Sequence, residues 1–299
     1  MPLPIVHHTD YDARFPASHR FPMGKYRQLM LALQARGLTD GGALHVPEPA
    51  APERLRLVHD AAYVEQVLAQ TVPVAVEREI GFPVNALVAR RARLAVAGTV
   101  LAARLALAGG LACNTAGGSH HARRAQGAGF CTFNDVAVAA AVLLGEGVAP
   151  ILVVDLDVHQ GDGTAEIFAG EPRVFTFSMH AARNYPVRKV PSDLDVALPD
   201  GTGDAAYLRR LEAALAFLDR TQAPRLVFYN AGVDPHADDR LGRLALSDAG
   251  LKARDAMVIG HFRDRGIPLC GVIGGGYAHD VAALAARHAI LFETAARFA

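Results

Sequence analysis

The sequence predicts an α/β protein with a central, mainly parallel sheet. Four short apolar runs, at residues 151–155, 173–177, 225–229 and 268–273, are continuous rather than alternating, as strands covered on both faces must be. Amphipathic helical patterns fall between or before them, over 134–144, 204–219 and 247–263. Each run also leads into a polar or glycine-rich loop. Strands alternating with helices form βαβ units, and ligands of such sheets sit beyond the carboxyl ends of the strands.

The rest of the chain fits one domain spanning residues 1–299. Hydrophobic residues make up 51% and charged residues 20% of the 299, enough apolar material for a large core and too much for a disordered chain. No Ser/Gly linker, charge block or internal repeat divides the chain. The Pro47, Pro49 and Pro52 cluster reads as a loop. A helix is expected over 85–108. The overlapping stretch 94–113 is the most membrane-like in the chain, but Arg104 and several glycines interrupt it and Arg90, Arg91 and Arg93 precede it. A spanning helix needs about 20 apolar residues with few charges, so a buried Ala-rich helix is the expectation. Asn134 or Asp135, Asp204 and Ser247 are placed to cap the other three helices.

Composition narrows the function classes. Lys and Arg together number 30, as do Asp and Glu, so the basic excess usual in proteins of nucleic acid or anionic membranes is missing and neither partner is expected. The pairs Arg123-Arg124 and Arg188-Lys189 read as solvated loop residues. Cys113, Cys131 and Cys270 are widely spaced and form no CxxC pair. That argues against a disulfide framework and for a reducing, cytoplasmic location. The N-terminus shows no basic segment followed by an apolar one, so no secretory signal is expected.

Chemistry concentrates at the loops that follow the strands. The first run ends in Asp155-Leu156-Asp157-Val158-His159-Gln160-Gly161-Asp162. Alternation along a strand starts Asp155, Asp157 and His159 on one side. Three acids and an imidazole leaving an apolar strand are costly to bury without partners, which points to metal or catalytic use. Asp234, just beyond the third run, completes an Asp2His set. Two carboxylates and a neutral imidazole suit a catalytic Zn2+ with an open position, and Fe2+ or another divalent ion would accept the same ligands. His120 and His121 follow Gly117-Gly118-Ser119 on a turn that can deliver both imidazoles to a cleft. Imidazoles carry protons near neutral pH, and acids such as Asp155 and Asp162 could each fix one ring. Gly274-Gly275-Gly276-Tyr277 permits close backbone approach and ends in a hydroxyl. It has neither the GxGxxG nor the GK[ST] spacing of a nucleotide loop. Phe130 could wall an apolar slot, and Cys131 reads as a buried structural thiol.

Taken in order, GGSHHA, GFCTFND, DLDVHQGDG, a Gly-x-Asp after a strand and GGGY resemble the zinc-dependent histone deacetylase superfamily. The match runs from about Thr115 to Tyr277, with weaker likeness at residues 19–26. Gln160, Asn184-Tyr185-Pro186, Ser192-Asp193 and Asp200-Gly-Thr-Gly203 resemble its bacterial, class IV-like branch. The resemblance implies the arginase/deacetylase fold, a three-layer αβα domain with about eight strands. It implies a hydrolase that removes an acyl group from acyl-lysine or a small acylated amine such as an acylpolyamine. Asp157, His159 and Asp234 would then hold the metal. His120, bonded to Asp155, and His121, bonded to Asp162, would carry protons, and Tyr277 would bond the oxyanion. A structural potassium ion would sit on backbone oxygens of Asp155, Asp157 and His159 and the Ser178 hydroxyl. Phe130, with Gly129 beside it, would wall the substrate channel, and Tyr185 is the candidate for its other wall. An arginase-like two-metal site would need further acids, and the segment 232–236 offers only one; a non-catalytic protein that binds acylated ligands is the other alternative, disfavoured because every matched catalytic position, Tyr277 included, is occupied.

Overall fold

A computed structural model describes residues 2–299. The strands are β1 (Ile5–Val6), β2 (Leu44–His45), β3 (Leu111–Asn114), β4 (Ile151–Asp155), β5 (Val174–Ala181), β6 (Leu194–Leu198), β7 (Leu226–Asn230) and β8 (Leu269–Val272). All pairings are parallel, in the order β2-β1-β3-β8-β7-β4-β5-β6. The helices are α1 (Lys25–Gln34), α2 (Pro52–Leu55), α3 (Ala61–Ala69), α4 (Val74–Ile80), α5 (Ala86–Gly109), α6 (Asp135–Gly145), α7 (Asp162–Phe168), α8 (Asp204–Thr221), α9 (Asp248–Arg263) and α10 (Val281–Ala295). They cover the sheet in two groups: α5 lies on α6 and against β3 and β8, while α8, α9, α10 and α1 pack in a row. Every residue of β3, β4, β7 and β8 is buried, which is why these segments are continuously apolar.

The four expected strands all form, the second longer than its apolar run. The second run extends through Ser178, Met179 and His180 to Ala181. The membrane-like stretch divides in two. Its first part lies in α5, capped by the Asn85 side chain accepting from the Val88 N–H at 3.0 Å. That helix stops at Gly110, which adopts φ 91°, and Leu111 then opens β3. That left-handed conformation is what favours glycine at the turn; a β-carbon there would meet only the movable end of the Arg263 side chain. Ser247 and Asn134 cap α9 and α6 as expected. Asp204 does not cap α8; Gly203 holds that position. Its carboxylate instead accepts the Ser247 N–H at 2.9 Å and the Ser247 hydroxyl at 2.6 Å, tying the start of α8 to the start of α9.

The topology fixes where chemistry can occur. β3, β8, β7 and β4 are adjacent in the sheet, and their carboxyl-end loops carry His120-His121, Tyr277, Asp234 and Asp157-His159 respectively. Four segments far apart in sequence therefore open onto one crevice.

Candidate active site

The loop after β3 is held by the first turn of α6. The buried Asp135 carboxylate accepts the Ser119 N–H at 2.8 Å, the Gly118 N–H at 3.2 Å and the Thr99 hydroxyl at 2.6 Å. With that loop fixed, His120 and His121 lie with ring centroids 4.1 Å apart. His120 Nδ1 meets Asp155 Oδ2 at 2.6 Å and His121 Nδ1 meets Asp162 Oδ1 at 2.5 Å. These are the two pairings the resemblance implied. Each carboxylate has a second partner: Asn230 Nδ2 donates to Asp155 at 3.0 Å, and Arg123 Nη2 donates to Asp162 at 2.7 Å. Arg123 is thus not the solvated loop residue that its sequence context suggested. Nor is Lys189, whose ammonium donates to the carbonyls of Asn184 at 2.5 Å and Pro186 at 2.6 Å and so pins the Tyr185 loop.

The two imidazoles differ electrostatically. Burial, with the neighbouring His120, pushes His121 down to about 4. Burial also opposes a charge on His120, but the Asp155 and Asp157 carboxylates outweigh it and push that ring up to about 9. They differ in placement too. His121 lines a cavity of about 400 Å³ that opens to solvent, together with His159, Tyr277, Gly129, Phe130 and Tyr185. His120 lies deeper, against Asp157.

Asp157, His159 and Asp234 place one ligand atom each within 4.8 Å of one another, and all three are buried. Backbone groups orient the acids: Gly275 N–H donates to Asp157 Oδ2 at 2.7 Å and Val158 N–H to Asp234 Oδ1 at 2.8 Å. Asp234 Oδ2 is buried without a hydrogen-bond donor. It faces His159 Nδ1 at 3.2 Å, and Asp157 Oδ1 lies 3.0 Å from the same nitrogen. Burial and the Asp157 charge raise Asp234 to about 7. Two buried carboxylates, one with an orphaned oxygen, and one imidazole fit a divalent ion. Among the described residues this is the one such cluster. Asp239, a half-buried acid nearby, is satisfied by the backbone N–H groups of Tyr277, Leu241 and Gly242 at 2.7, 2.9 and 2.9 Å.

Tyr277 is 7% exposed, with its ring against Phe130, Phe21 and His159 at centroid distances of 5.6, 6.2 and 6.1 Å. Burial and the Asp157 and Asp234 carboxylates hold its phenol well above the usual tyrosine range. Behind it, buried Lys25 donates to the Gly274 carbonyl at 3.2 Å, and burial lowers its ammonium to about 8. Phe130 adopts φ 65°, rare for a side chain of its size, and its N–H bonds the Ile80 carbonyl at 2.7 Å. Tyr185 stands edge-on to His121 at 4.7 Å. Ser178 is buried opposite Asp155 in the β4–β5 ladder, 3.0 Å from His180 Nδ1. Cys131 is buried and burial pushes its thiol up, in keeping with a structural cysteine. Gln160 bonds Val190 and Asp195, away from the crevice.

Sequence reasoning placed the groups in the crevice but missed those that hold them. Asp135, Arg123 and Asn230 act across separations of 16, 39 and 75 residues. Only the apolar setting of Asp135 and the position of Asn230 at a strand end hinted at their use.

A model of the histone deacetylase domain matches residues 19–292. An uncharacterized protein of Picosynechococcus sp. is 47% identical over 298 residues, covering 99% of each chain. Histone deacetylase 2 of Arabidopsis thaliana is 32% identical over 91% of this chain and 74% of its own. The crystal structure of an HDAC homolog from Aquifex aeolicus superposes with a TM-score of 0.83 at 27% identity, covering 99% of this chain and 84% of that one.

Proposed function

The chain belongs to the histone deacetylase family, and from that premise we propose that it hydrolyses the amide of an acylated primary amine, acyl-lysine first among them, releasing a carboxylate and the free amine. The observation that carries this reading is the convergence of His121, Tyr277 and His159 on one open cavity, with Asp157 and Asp234 buried directly behind His159. Asp157, His159 and Asp234 would hold the ion, zinc by preference from its donor set. When bound, the ion supplies a Lewis acid that polarises the acyl carbonyl and acidifies water.

The remaining steps belong to side chains. His121 accepts the proton of the attacking water at Nε2, because Nδ1 is engaged by Asp162 and because this ring faces the cavity. Tyr277, protonated, donates to the oxygen as it gains negative charge. The same His121 proton then passes to the amine nitrogen as the C–N bond breaks, so the amine leaves neutral. His120 stays behind, bonded to Asp155, and balances charge within the pair. Phe130 and Tyr185 flank the acyl-lysine stem. The same reading assigns a structural potassium ion to the backbone oxygens of Asp155, Asp157 and His159 and the Ser178 hydroxyl. The position of Ser178 opposite Asp155 supports it.

The test is turnover of ε-acyl-lysine peptides and acylpolyamines, from acetyl to myristoyl, by the zinc-loaded protein and its Tyr277→Phe variant. Losing one oxyanion donor costs about 10²–10³-fold in turnover. The variant is expected to show that loss with metal content unchanged. Full activity in Tyr277→Phe would refute the oxyanion role, and silence of the wild type across the series would refute the deacylase reading.

A further inference from the structure

We propose that the mouth of the cavity selects acyl-lysine carried in acidic polypeptide segments. The inference rests on the deacylase reading and names the substrate class of that same site. Four guanidinium groups line the mouth, those of Arg20, Arg78, Arg183 and Arg243, against the single carboxylate of Glu79. All five residues are exposed. The concentration is local, because the chain as a whole carries 30 basic and 30 acidic residues.

The acids nearby do not cancel it. Glu79 is engaged by Gln126 Nε2 at 2.5 Å. Arg243 pairs with Asp200 at 3.2 Å. Among the described residues, no carboxylate lies within 4.0 Å of Arg20, Arg78 or Arg183. Three arginines lining the cavity are therefore exposed and without a carboxylate partner, and guanidinium matches carboxylate in a planar, two-pronged geometry.

The arginines come from four separate segments: the loop before α1, helix α4, the loop after β5 and the loop between β7 and α9. A small anion would meet one or two of them. A chain crossing the mouth, with acids on either side of the acylated lysine, meets several. Deeper in, the lining is Phe130, Tyr277 and His121, suited to an uncharged acyl-lysine stem. A polyamine places ammonium groups where the arginines stand, so like charges oppose its entry. Charges at a cleft mouth act on capture of the ligand and weaken with ionic strength, the screening length being about 8 Å at physiological salt.

The experiment compares three acetyl-lysine peptides of equal length, flanked by Asp and Glu, by Gly and Ser, or by Lys and Arg, with an N-acetylpolyamine beside them. The expected result is kcat/KM at least tenfold higher for the acidic than for the basic peptide, with the polyamine no better than the basic one. The acidic-to-basic ratio should shrink severalfold in 0.5 M NaCl and fall towards one in Arg20→Glu/Arg78→Glu/Arg183→Glu. The ratio is read within one preparation, so a partly folded variant still reports it. Equal rates for the three peptides, or a polyamine that outruns the acidic peptide, would overturn the proposal while leaving the deacylase reading intact. No turnover even of the Gly/Ser peptide would overturn that reading. Fluorescence anisotropy of the same labelled peptides would then still decide charge selection, with equal affinities counting against it and tighter acidic binding for it.

Discussion

Gly275 shows how far a single residue can determine the site. Its N–H orients Asp157 Oδ2 at 2.7 Å. A β-carbon there would collide with Asp234 Oδ2 and come within 2.7 Å of Asp157 Oδ2. The space between those carboxylates is the space an ion would occupy, so Gly275→Ala is expected to abolish tight zinc binding while the protein still folds. Metal content after dialysis checks it, and one retained equivalent would show that the ion sits elsewhere. At this scale much was legible. Asp155, Asp157, His159 and Asp162 lie within eight residues, and a local pattern of costly polar groups after an apolar strand is visible in one reading of the chain. Arg20, Arg78, Arg183 and Arg243 were not legible as a group. Each looks like an ordinary surface residue until the fold brings the four together, and a net charge of zero conceals a local excess.

Elements carry the site through contacts that no motif records. Helix α9 sends Arg254, fully buried, into the carboxyl ends of β4 and β7. Its guanidinium donates to the Gly232 carbonyl at 2.6 Å and reaches those of Leu156 and Ala231 at 3.4 Å, while Asp255 balances it at 2.8 Å. Tyr229 donates its hydroxyl to the same Asp255 carboxylate at 2.5 Å. Leu156 separates Asp155 from Asp157, and Gly232 stands two residues before Asp234, so this one side chain ties two ligand-bearing loops together. Removing one member of a buried ion pair leaves the other uncompensated, at a cost of about 3–5 kcal/mol. Arg254→Leu is expected to lose that much in urea denaturation, and Arg254→Leu/Asp255→Leu to lose less than the single variant. A loss below about 1 kcal/mol in Arg254→Leu would mean the pair is not buried as described. The strands missed from sequence each have a physical cause. β1 and β2 have two residues each, too few for a pattern. β6, at the sheet edge, alternates between half-buried and exposed positions up to buried Leu198 instead of running continuously apolar. β3 follows α5 after one glycine, and hydropathy alone cannot divide an apolar helix from an apolar strand.

The molecule as a whole should lose stability in acid, and His59 isolates one reason. It lies 2% exposed under the loop that carries the imidazole pair. Nδ1 bonds the Arg123 carbonyl at 2.8 Å, and Nε2 lies 3.0 Å from the Asn134 N–H. A carbonyl can only accept, so Nδ1 carries the proton and Nε2 must be bare to accept from Asn134. Burial accordingly holds the ring down at about 4, against 6.5 for a free histidine. Above pH 6.5 the folded and unfolded chains both keep this ring neutral, and its contribution is complete. Between 6.5 and 4 the unfolded chain binds the proton and the folded chain does not, so stability falls as pH falls, and below 4 the loss levels off. At 1.36 kcal/mol per pH unit the loss attributable to His59 reaches about 3 kcal/mol. The effect converges on the site, because Asn134 caps α6 and the next residue, Asp135, holds the Gly118-Ser119 turn ahead of the imidazole pair. Glutamine offers an acceptor near the position of Nε2 and does not titrate. Urea denaturation of wild type and His59→Gln at pH 7 and pH 4 should therefore show the wild type losing about 3 kcal/mol more than the variant over that interval. Equal losses would mean that His59 is protonated in the folded protein, and that the acid sensitivity arises from other groups.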